Sequence, residues 1–481
     1  MIEKRQFYIN GAWVNPAQPS DHMVIDPSTE EPCAVISLGA QADTDAAVAA
    51  ARAAFPAWMA TPPEARIAAL ERLLEAYVSR EEEMAQAMRL EMGAPITMSR
   101  QQQAPSGSYH IGNFIKAARD YAFVHPLGDG TEGAFIRHEP VGVAALITPW
   151  NWPMNQITLK VCAALAAGCT MVLKPSEEAP LSAMLFAEMV DAADLPRGVF
   201  NLVNGDGVGV GSQLSAHPDV DMISFTGSSR AGKLISKSAA DTLKRVSLEL
   251  GGKGANLIFA DADESAVKRG VLHCMNNSGQ SCNAPTRMLV HREIYDRALE
   301  TAAELAAAIT VGPASEEGRH IGPVVNAVQF TKIQDLIQTG IDEGARLVAG
   351  GVGRPEGFNR GFFVKPTVFA DVTPEMTIYR EEIFGPVLAM TPFDTEEEGI
   401  AMANDTVYGL TNYLQTGDPL RANRVGAALR SGMVEINGKS RGAGAPFGGM
   451  KQSGNGREGG TWGIEDFIEV KSISGWTPDA A

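Results

Sequence analysis

The chain has 481 residues, of which 40 are Lys or Arg and 57 are Asp or Glu, so its formal net charge is −17. This length favours two or three domains, and the acidic balance argues against nucleic acid and anionic membranes as partners. The N-terminus lacks the apolar core of a signal peptide, and no run of about eighteen apolar residues follows, so we expect a cytoplasmic protein. The five cysteines match neither a disulfide framework nor a zinc spacing, so we expect no metal.

In chain order, short strand-like pieces come first, and Ala-rich helical patterns follow from Asp43. Between 141 and 250, short apolar runs alternate strictly with helical patterns. We predict strands at 141–147, 170–173, 199–203, 222–225 and 246–250, and helices at 153–167, 181–193, 207–216 and 229–240. This alternation is typical of a parallel sheet covered by helices, which binds ligands at the carboxyl ends of its strands.

The rest of the chain has three further features. A second run of strand and helix patterns extends from about 255 to 429. A polar stretch between Tyr121 and His138, interrupted by Gly128, Asp129 and Gly130, is predicted to form a hairpin. Residues 467–474 alternate weakly, so they could pair as an edge strand.

Glycine-rich turns follow two of the predicted strands. Residues 227–233 look like a phosphate-binding loop, but Leu234 stands where a magnesium-binding Ser or Thr is needed, which argues against an NTPase. Free backbone N–H groups at such turns suit a dinucleotide pyrophosphate, although turns of this kind also occur without a ligand. Lys174 and Glu177, which follow the strand at 170–173, could reach ribose hydroxyls or form only a solvated turn.

Three polar residues are candidates for the chemistry. Cys282 lies in a loop of small polar residues, unlike the apolar surroundings of Cys162 and Cys169, so it is a possible nucleophile. Glu249 interrupts an apolar strand, as either a solvent-facing residue or a base held in a pocket. Asn151 precedes a helix, which it could cap, or its amide could face a developing oxyanion.

Taken together, these segments resemble the aldehyde dehydrogenase superfamily, in its NAD(P)-dependent, non-acylating branch. The resemblance covers nearly the whole chain, in order. Its motifs are 148–153 (TPWNWP), 174–177 (KPSE), 225–228 (FTGS), 248–253 (LELGGK), 279–282 (GQSC), 381–386 (EEIFGP) and 446–449 (PFGG). Each motif is weak alone, but their common order is specific.

The resemblance implies an α/β subunit with three parts. A Rossmann-like parallel-sheet domain for the cofactor would comprise 1–118 and 139–250, and an α/β catalytic domain would comprise 251–460. A small β element for oligomerisation would comprise 119–138 and 461–481, and the subunit would form a homodimer or homotetramer. The cofactor would be NAD, with NADP possible.

The resemblance also implies roles for individual residues. Cys282 would be the nucleophile, Glu249 the general base, and Asn151 a donor to the oxyanion, while Lys160 would position the base. The residues implied to bind the cofactor are Ile147, Thr148, Trp150, Lys174, Ser176, Glu177, Gly207, Gly211, Phe225, Thr226, Gly227, Ser228, Leu250, Glu382 and Phe384. The residues implied to contact the substrate are Trp152, Ser281, Asn283, Arg441 and Phe447.

This set implies oxidation of an aldehyde to a carboxylic acid through a thioester on Cys282, which water activated by Glu249 hydrolyses. One alternative is a CoA-acylating enzyme, a subgroup that usually lacks the glutamate found here as Glu249; another is a non-catalytic structural member of the family. The aldehyde could be aliphatic, aromatic or a semialdehyde. Arg441 could hold a distal carboxylate of the substrate, or it could be solvated or paired with an acidic group.

Overall fold

The computed structural model describes residues 1–128 and 133–477. Its strands, β1 to β20 in chain order, are Ile2–Lys4, Phe7–Ile9, Ala12–Val14, Asp21–Asp26, Glu31–Ser37, Val124–Pro126, Ala134–Pro140, Val143–Ile147, Thr170–Lys174, Phe200–Leu202, Met222–Thr226, Arg245–Glu249, Ala255–Ile258, Arg287–His291, Arg346–Ala349, Thr367–Ala370, Val387–Phe393, Thr411–Gln415, Met433–Ile436 and Ile468–Ser474.

The α-helices, α1 to α16 in chain order, are Gln41–Met59, Pro63–Ser79, Glu81–Met92, Ile96–Met98, Ala104–Asp120, Pro153–Ala167, Pro180–Ala192, Ser212–Ala216, Ser229–Ala239, Ala266–Met275, Tyr295–Ala308, Ala327–Asp342, Thr377–Arg380, Glu396–Asn404, Pro419–Ala428 and Gly460–Asp466. Two short π-helical turns, Ser99–Gln103 and Gly207–Gly211, and 3-10 turns such as Asn276–Gly279 join them. Within the described residues, no helix is long and apolar enough to cross a membrane.

Two seven-stranded sheets organise the molecule. The first has the order β12-β11-β8-β9-β10-β2-β3, and its strands from β12 to β10 are parallel, as the alternating pattern predicts. The second has the order β15-β16-β17-β14-β13-β18-β19 and is parallel except for the β15 edge. Helices α6 and α7 pack on the first sheet, and nearly all their side chains are buried because the helices are apolar on every face.

A smaller sheet joins the middle of the chain to its end. Strand β7 pairs antiparallel with both β6 and β20, so the predicted hairpin and C-terminal strand belong to one three-stranded sheet. Of the predicted hairpin turn, Gly128 is described, whereas Asp129 and Gly130 lie outside the described residues. The α/β class is confirmed, and the boundaries between the three parts stay a prediction.

One predicted helix differs from the structure. Residues 207–216 form a π-helical turn over Gly207–Gly211 and only then the short α-helix Ser212–Ala216. The Asp206 carboxylate accepts a hydrogen bond from the Gly209 N–H at 2.5 Å and fixes the start of this turn. Three glycines in five residues leave the backbone free to widen, which hydrophobic spacing alone does not reveal.

Candidate active site

The loop that carries Cys282 has an unusual backbone. Asn277, Ser278 and Gly279 have φ values of 52°, 55° and 72°, in the left-handed region that glycine tolerates best. A Cβ atom on Gly279 would lie 2.0 Å from the Gly385 carbonyl oxygen, so this position requires glycine. The turn lets the chain leave the end of α10 sharply and present Cys282 beyond it.

Residues just before α6, which follow β8 of the first sheet, form hydrogen bonds with this loop. The Asn151 side-chain amide donates to the Gln280 carbonyl at 3.0 Å, and the Asn277 amide donates to the Asn151 carbonyl at 2.9 Å. The Trp152 indole N–H donates to the Ser281 hydroxyl at 2.8 Å. Asn151 therefore does not cap α6 with its side chain; it lies beside the cysteine loop.

Cys282 lies where two cavities meet. The inner cavity, of about 160 Å³, is lined by Cys282, Glu249, Thr226, Ser228 and Phe384, among others. The outer cavity, of about 310 Å³, is also lined by Cys282, together with Trp152, Arg441 and Phe447, which do not line the inner cavity. Each cavity can therefore bring a different molecule to the same sulfur atom.

Glu249, at the end of β12, is buried, with 2% of its surface exposed. Neither carboxylate oxygen has a hydrogen-bond partner in the described structure. The pKa of Glu249 is raised well above its ordinary value, first by burial and then by the nearby Glu458 carboxylate. Gly448 and Gly456 leave room for this side chain, because a Cβ on either would lie within 2.9 Å of Glu249 Oε1. Of the two sequence-based alternatives, the structure thus matches the carboxylate held in a pocket.

Lys160 pairs with a different carboxylate. Its ammonium lies 2.6 Å from Glu458 Oε1 and donates to the Ser224 hydroxyl at 3.0 Å, and all three side chains are buried. Its positive charge also acts on Glu249, whose pKa it lowers against the larger effect of burial. Lys160 therefore acts on the buried Glu249 carboxylate through space, with Glu458 as its direct partner.

The surroundings of Cys282 favour the protonated form of its thiol. Burial raises its pKa, and the Glu382 and Glu249 carboxylates raise it further, whereas Arg441 lowers it. A thiolate here therefore needs a proton acceptor close by or an added positive charge. Three other cysteines, Cys162, Cys169 and Cys274, are fully buried in the core.

The carboxyl ends of β8 and β11 border the inner cavity and leave polar groups without partners. The buried hydroxyls of Thr148 and Thr226 have no hydrogen-bond partner in the described structure. Ser228 caps α9 by accepting from the Ala231 N–H at 3.2 Å, and the Phe225 ring lies under Gly227, where a Cβ would clash at 2.4 Å. These unpaired donors at a helix N-terminus suit a phosphate-bearing cofactor.

A second group of predicted cofactor residues lies beyond the inner cavity. Lys174, at the end of β9, donates to the Gly205 carbonyl at 2.5 Å, and its ammonium lies 3.6 Å from Glu177 Oε2. Space remains around Gly207, since a Cβ there would meet nothing within 4 Å. Ile147 and Leu250 are buried apolar residues, and Ser176 is buried beside Glu177.

Two further predicted residues close the inner cavity from the second sheet. The Glu382 carboxylate accepts from the Gly252 N–H at 2.8 Å, and the Phe384 ring meets the Trp150 ring edge-on at 5.5 Å. Lys332 lines the same cavity and donates to the Glu382 carbonyl at 2.9 Å. The structure thus brings Glu382, Phe384 and Trp150 together with Cys282.

The predicted substrate residues line the outer cavity, except Ser281, which supports Trp152. Arg441 stacks over the Phe447 ring, 4.7 Å from its centre, and its Nε lies 3.4 Å from Glu435 Oε1. The Asn283 carbonyl accepts from the Tyr413 hydroxyl at 2.6 Å. Arg441 therefore lies at the cavity but has an acidic partner within its own chain.

Comparison with known proteins decides the family. The family model described as the aldehyde dehydrogenase family matches residues 13–473. The chain is 61% identical to an aldehyde dehydrogenase from Bartonella henselae of known crystal structure, with 99% of this chain and 100% of that chain covered and a TM-score of 0.98. The chain belongs to the aldehyde dehydrogenase family.

Two other relatives bear on the chemistry of this aldehyde dehydrogenase. A mutant of aldehyde dehydrogenase C from Pseudomonas syringae, solved in complex with NAD+ and octanal, is 49% identical, with 99% and 98% of the two chains covered and a TM-score of 0.96. A 3-succinoylsemialdehyde-pyridine dehydrogenase from a Pseudomonas species is 50% identical, with 99% of each chain covered. The enzyme class predicted from the sequence is confirmed.

The sequence analysis missed several residues of this aldehyde dehydrogenase. Glu458 borders the outer cavity and pairs with Lys160, and Lys332 borders the inner cavity. His110 lines the outer cavity and accepts or donates a hydrogen bond with Asn155 at 2.7 Å. For Glu458 alone a signal exists, because it stands in the glycine-rich run 454–460, where a buried charge is conspicuous.

Proposed function

We propose that this enzyme oxidises an aldehyde to its carboxylic acid through a thioester on Cys282, with NAD+ as the oxidant. The observation that carries the proposal is the position of Cys282 between two cavities, one of which also holds the unpaired carboxylate of Glu249. NAD+ supplies the hydride acceptor when it is bound. The relatives solved with NAD+, such as that from Pseudomonas syringae, support this choice.

In the first half of the reaction, Cys282 Sγ attacks the aldehyde carbon and its proton passes to Glu249, the carboxylate of the same cavity. The carbonyl oxygen becomes an oxyanion, and its collapse to the thioester on Cys282 breaks the former aldehyde C–H bond and expels a hydride, for which bound NAD+ would be the acceptor. The Asn151 amide has two N–H groups, of which one is used by the Gln280 carbonyl, so the second can donate to the oxyanion. A fixed donor of this kind contributes about 3 kcal/mol to the stabilisation of the transition state.

In the second half, Glu249 first releases the proton from Cys282 to solvent. A water molecule then attacks the thioester carbon and gives a proton to Glu249, and the C–S bond breaks to release the carboxylic acid and the Cys282 thiolate. A raised pKa suits this role, because a base whose pKa lies close to the working pH both accepts and releases protons readily. Glu458 and Lys160 keep the base positioned through their buried ion pair. A CoA-acylating enzyme would not need a base to activate water at this step.

The cofactor residues divide into two groups. Thr148, Thr226, Gly227 and Ser228 would hold the pyrophosphate, since they offer unpaired donors at the start of a helix. Lys174 and Glu177 would contact one ribose and Glu382 the other, with Phe384 and Trp150 packing beside the latter. The space over Gly207 would accept the adenine side, with Gly211 at the end of the same turn.

We further propose a cytoplasmic homodimer or homotetramer. Strand β20 supports this, because it is the edge of a three-stranded sheet and exposes Val470, with 67% of that residue accessible. An exposed apolar edge strand is commonly covered by a second chain. Light scattering after gel filtration would give the number of subunits, and a monomer at micromolar concentration would contradict the proposal.

The mechanism is tested with Glu249→Gln, which keeps the shape of the side chain but not its basicity. Mixed with aldehyde and NAD+, the variant should form at most one equivalent of NADH per active site, and intact-mass spectrometry should show an acyl group on Cys282. Adding CoA tests the acylating alternative, since release of an acyl-CoA would favour it. Steady turnover at the wild-type rate would remove Glu249 from the mechanism.

A further inference from the structure

The charges along the outer cavity are balanced within the chain. Among the residues described along this cavity, the charged side chains are Arg441 and Glu458. Arg441 Nε lies 3.4 Å from Glu435 Oε1, and Glu458 Oε1 lies 2.6 Å from Lys160 Nζ. Burial lowers the pKa of His110 to about 4, so this cavity residue is neutral near pH 7. The cavity therefore presents no uncompensated charge to a substrate.

The position of Glu435 decides which member of the pair a substrate in the outer cavity can contact. Glu435 is part of β19 and its side chain is only 14% exposed, and it is not among the residues that line the cavity. It thus lies behind Arg441 as seen from the substrate. Arg441 is held flat on Phe447 and touches the sulfur of Met433 at 3.2 Å, which leaves guanidinium N–H groups as donors at the cavity wall.

The remaining wall favours flat, polar groups. Tyr109, His110, Trp152 and Phe447 supply aromatic faces, and Asn155 adds an amide beside His110. Aromatic side chains bind planar groups by stacking and edge-on contacts that a saturated chain makes less well. An amide and a guanidinium whose charge is offset donate readily to neutral carbonyl oxygens or ring nitrogens.

We propose that the outer cavity selects uncharged aldehydes whose far end carries a planar, hydrogen-bond-accepting group, with Arg441 as the donor and Glu435 as the residue that excludes carboxylates. Glu435 does so by offsetting the charge that an ω-carboxylate would need as its partner. The inference rests on the proposed thioester mechanism, because it takes the outer cavity as the substrate side of Cys282.

Three aldehydes of similar length test the inference: octanal, its ω-carboxylate derivative and an aryl-ketone aldehyde. In the wild-type enzyme, kcat/KM should be highest for the aryl-ketone aldehyde and lowest for the carboxylate. Arg441→Met should lower kcat/KM for the aryl-ketone aldehyde roughly tenfold more than kcat/KM for octanal, the scale of one hydrogen bond from a charged donor.

Glu435→Gln is the decisive variant. It should raise kcat/KM for the ω-carboxylate at least roughly tenfold, because Arg441 then keeps its full charge, and change octanal little. Lys439→Gln is the matched control, since Lys439 lies in the same loop but does not line the outer cavity. An unchanged ratio of carboxylate to octanal in Glu435→Gln, or a wild-type preference for the carboxylate, would overturn the inference. Turnover of these aldehydes by Cys282→Ala at the wild-type rate would instead overturn the thioester mechanism.

Discussion

The two sides of Cys282 handle charge in opposite ways. On the inner side, Glu249 is buried with both carboxylate oxygens unpartnered and its pKa raised. On the outer side, Arg441 and Glu458 each have an oppositely charged partner within 3.4 Å. An unpaired buried carboxylate destabilises the fold but accepts a proton readily, whereas paired charges are passive. Under the proposed mechanism, this difference would separate proton transfer on one side of the sulfur from substrate selection on the other.

The largest expected effect comes from removing the atom that the two sides share. Cys282→Ala should lower kcat by at least about a hundredfold, since loss of a nucleophile usually costs several orders of magnitude. Cofactor binding, measured by fluorescence titration, should be nearly unchanged. Cys162→Ala is the matched control in a buried helix. Turnover by Cys282→Ala above about a hundredth of the wild-type value would show that another group is the nucleophile.

A second variant tests whether the inner charges form one unit. Lys160→Met should destabilise the fold by about 3–5 kcal/mol, because Glu458 would be left as a buried charge without its partner. The double variant Lys160→Met, Glu458→Gln should recover much of that loss. Denaturant unfolding of the wild type, the two single variants and the double variant measures the coupling free energy between Lys160 and Glu458. If the free-energy changes of Lys160→Met and Glu458→Gln add up to that of the double variant, the two residues do not stabilise each other.

Cofactor choice should show a smaller effect. A 2′-phosphate near Lys174 would meet the carboxylates of Glu177 and Asp206, both of which act on the Lys174 ammonium. We expect kcat/KM to favour NAD+ over NADP+ by roughly tenfold or more, or about 1.4 kcal/mol. Glu177→Gln should reduce the difference in kcat/KM between NAD+ and NADP+. Equal values for both cofactors in the wild-type enzyme would contradict this prediction.

The smallest effect concerns stability and pH. The pKa of Glu249 is raised in the folded protein, so the fold favours the neutral carboxyl. Its contribution to the free energy of unfolding is therefore fully present below the ordinary pKa of 4.5 and is lost as the pH rises through the raised pKa of the folded state. Glu249→Gln, which is always neutral, should therefore melt a few degrees higher than wild type at about pH 8. The gap should shrink toward about pH 5. A gap that is constant with pH would mean that the charge is not its cause.

The structural features that the sequence predicts well are those determined by short, continuous segments of the chain. The run of apolar strands and helices between 141 and 250 predicts a parallel sheet, which β8 to β12 form. Cys282, Glu249 and Asn151 stand in short motifs and could be named in advance. Motifs of this kind keep the chemistry and the local backbone together, so few tertiary contacts are needed to interpret them.

The parts that could not be predicted depend on distant segments. Lys160 and Glu458 are 298 positions apart in the chain, and no spacing or periodicity links them. Glu435 lies close to Arg441 in sequence, but only the edge position of β19 places its carboxylate behind the guanidinium. The π-helical turn Gly207–Gly211 was predicted as an α-helix, because hydrophobic spacing does not register how glycines change the turn.

The bonds from the start of α6 to the cysteine loop have a consequence for protein engineering. Asn151 and Trp152 come before the first sheet is complete, whereas residues 277–281 follow it, yet the two segments share three hydrogen bonds. A chimera of two relatives with a crossover between these segments would join parts that were not selected to fit each other. Exchanging both segments together should keep the Cys282 sulfur in its position. Comparing the activities of chimeras that exchange one segment with those that exchange both would measure how strongly the two segments depend on each other.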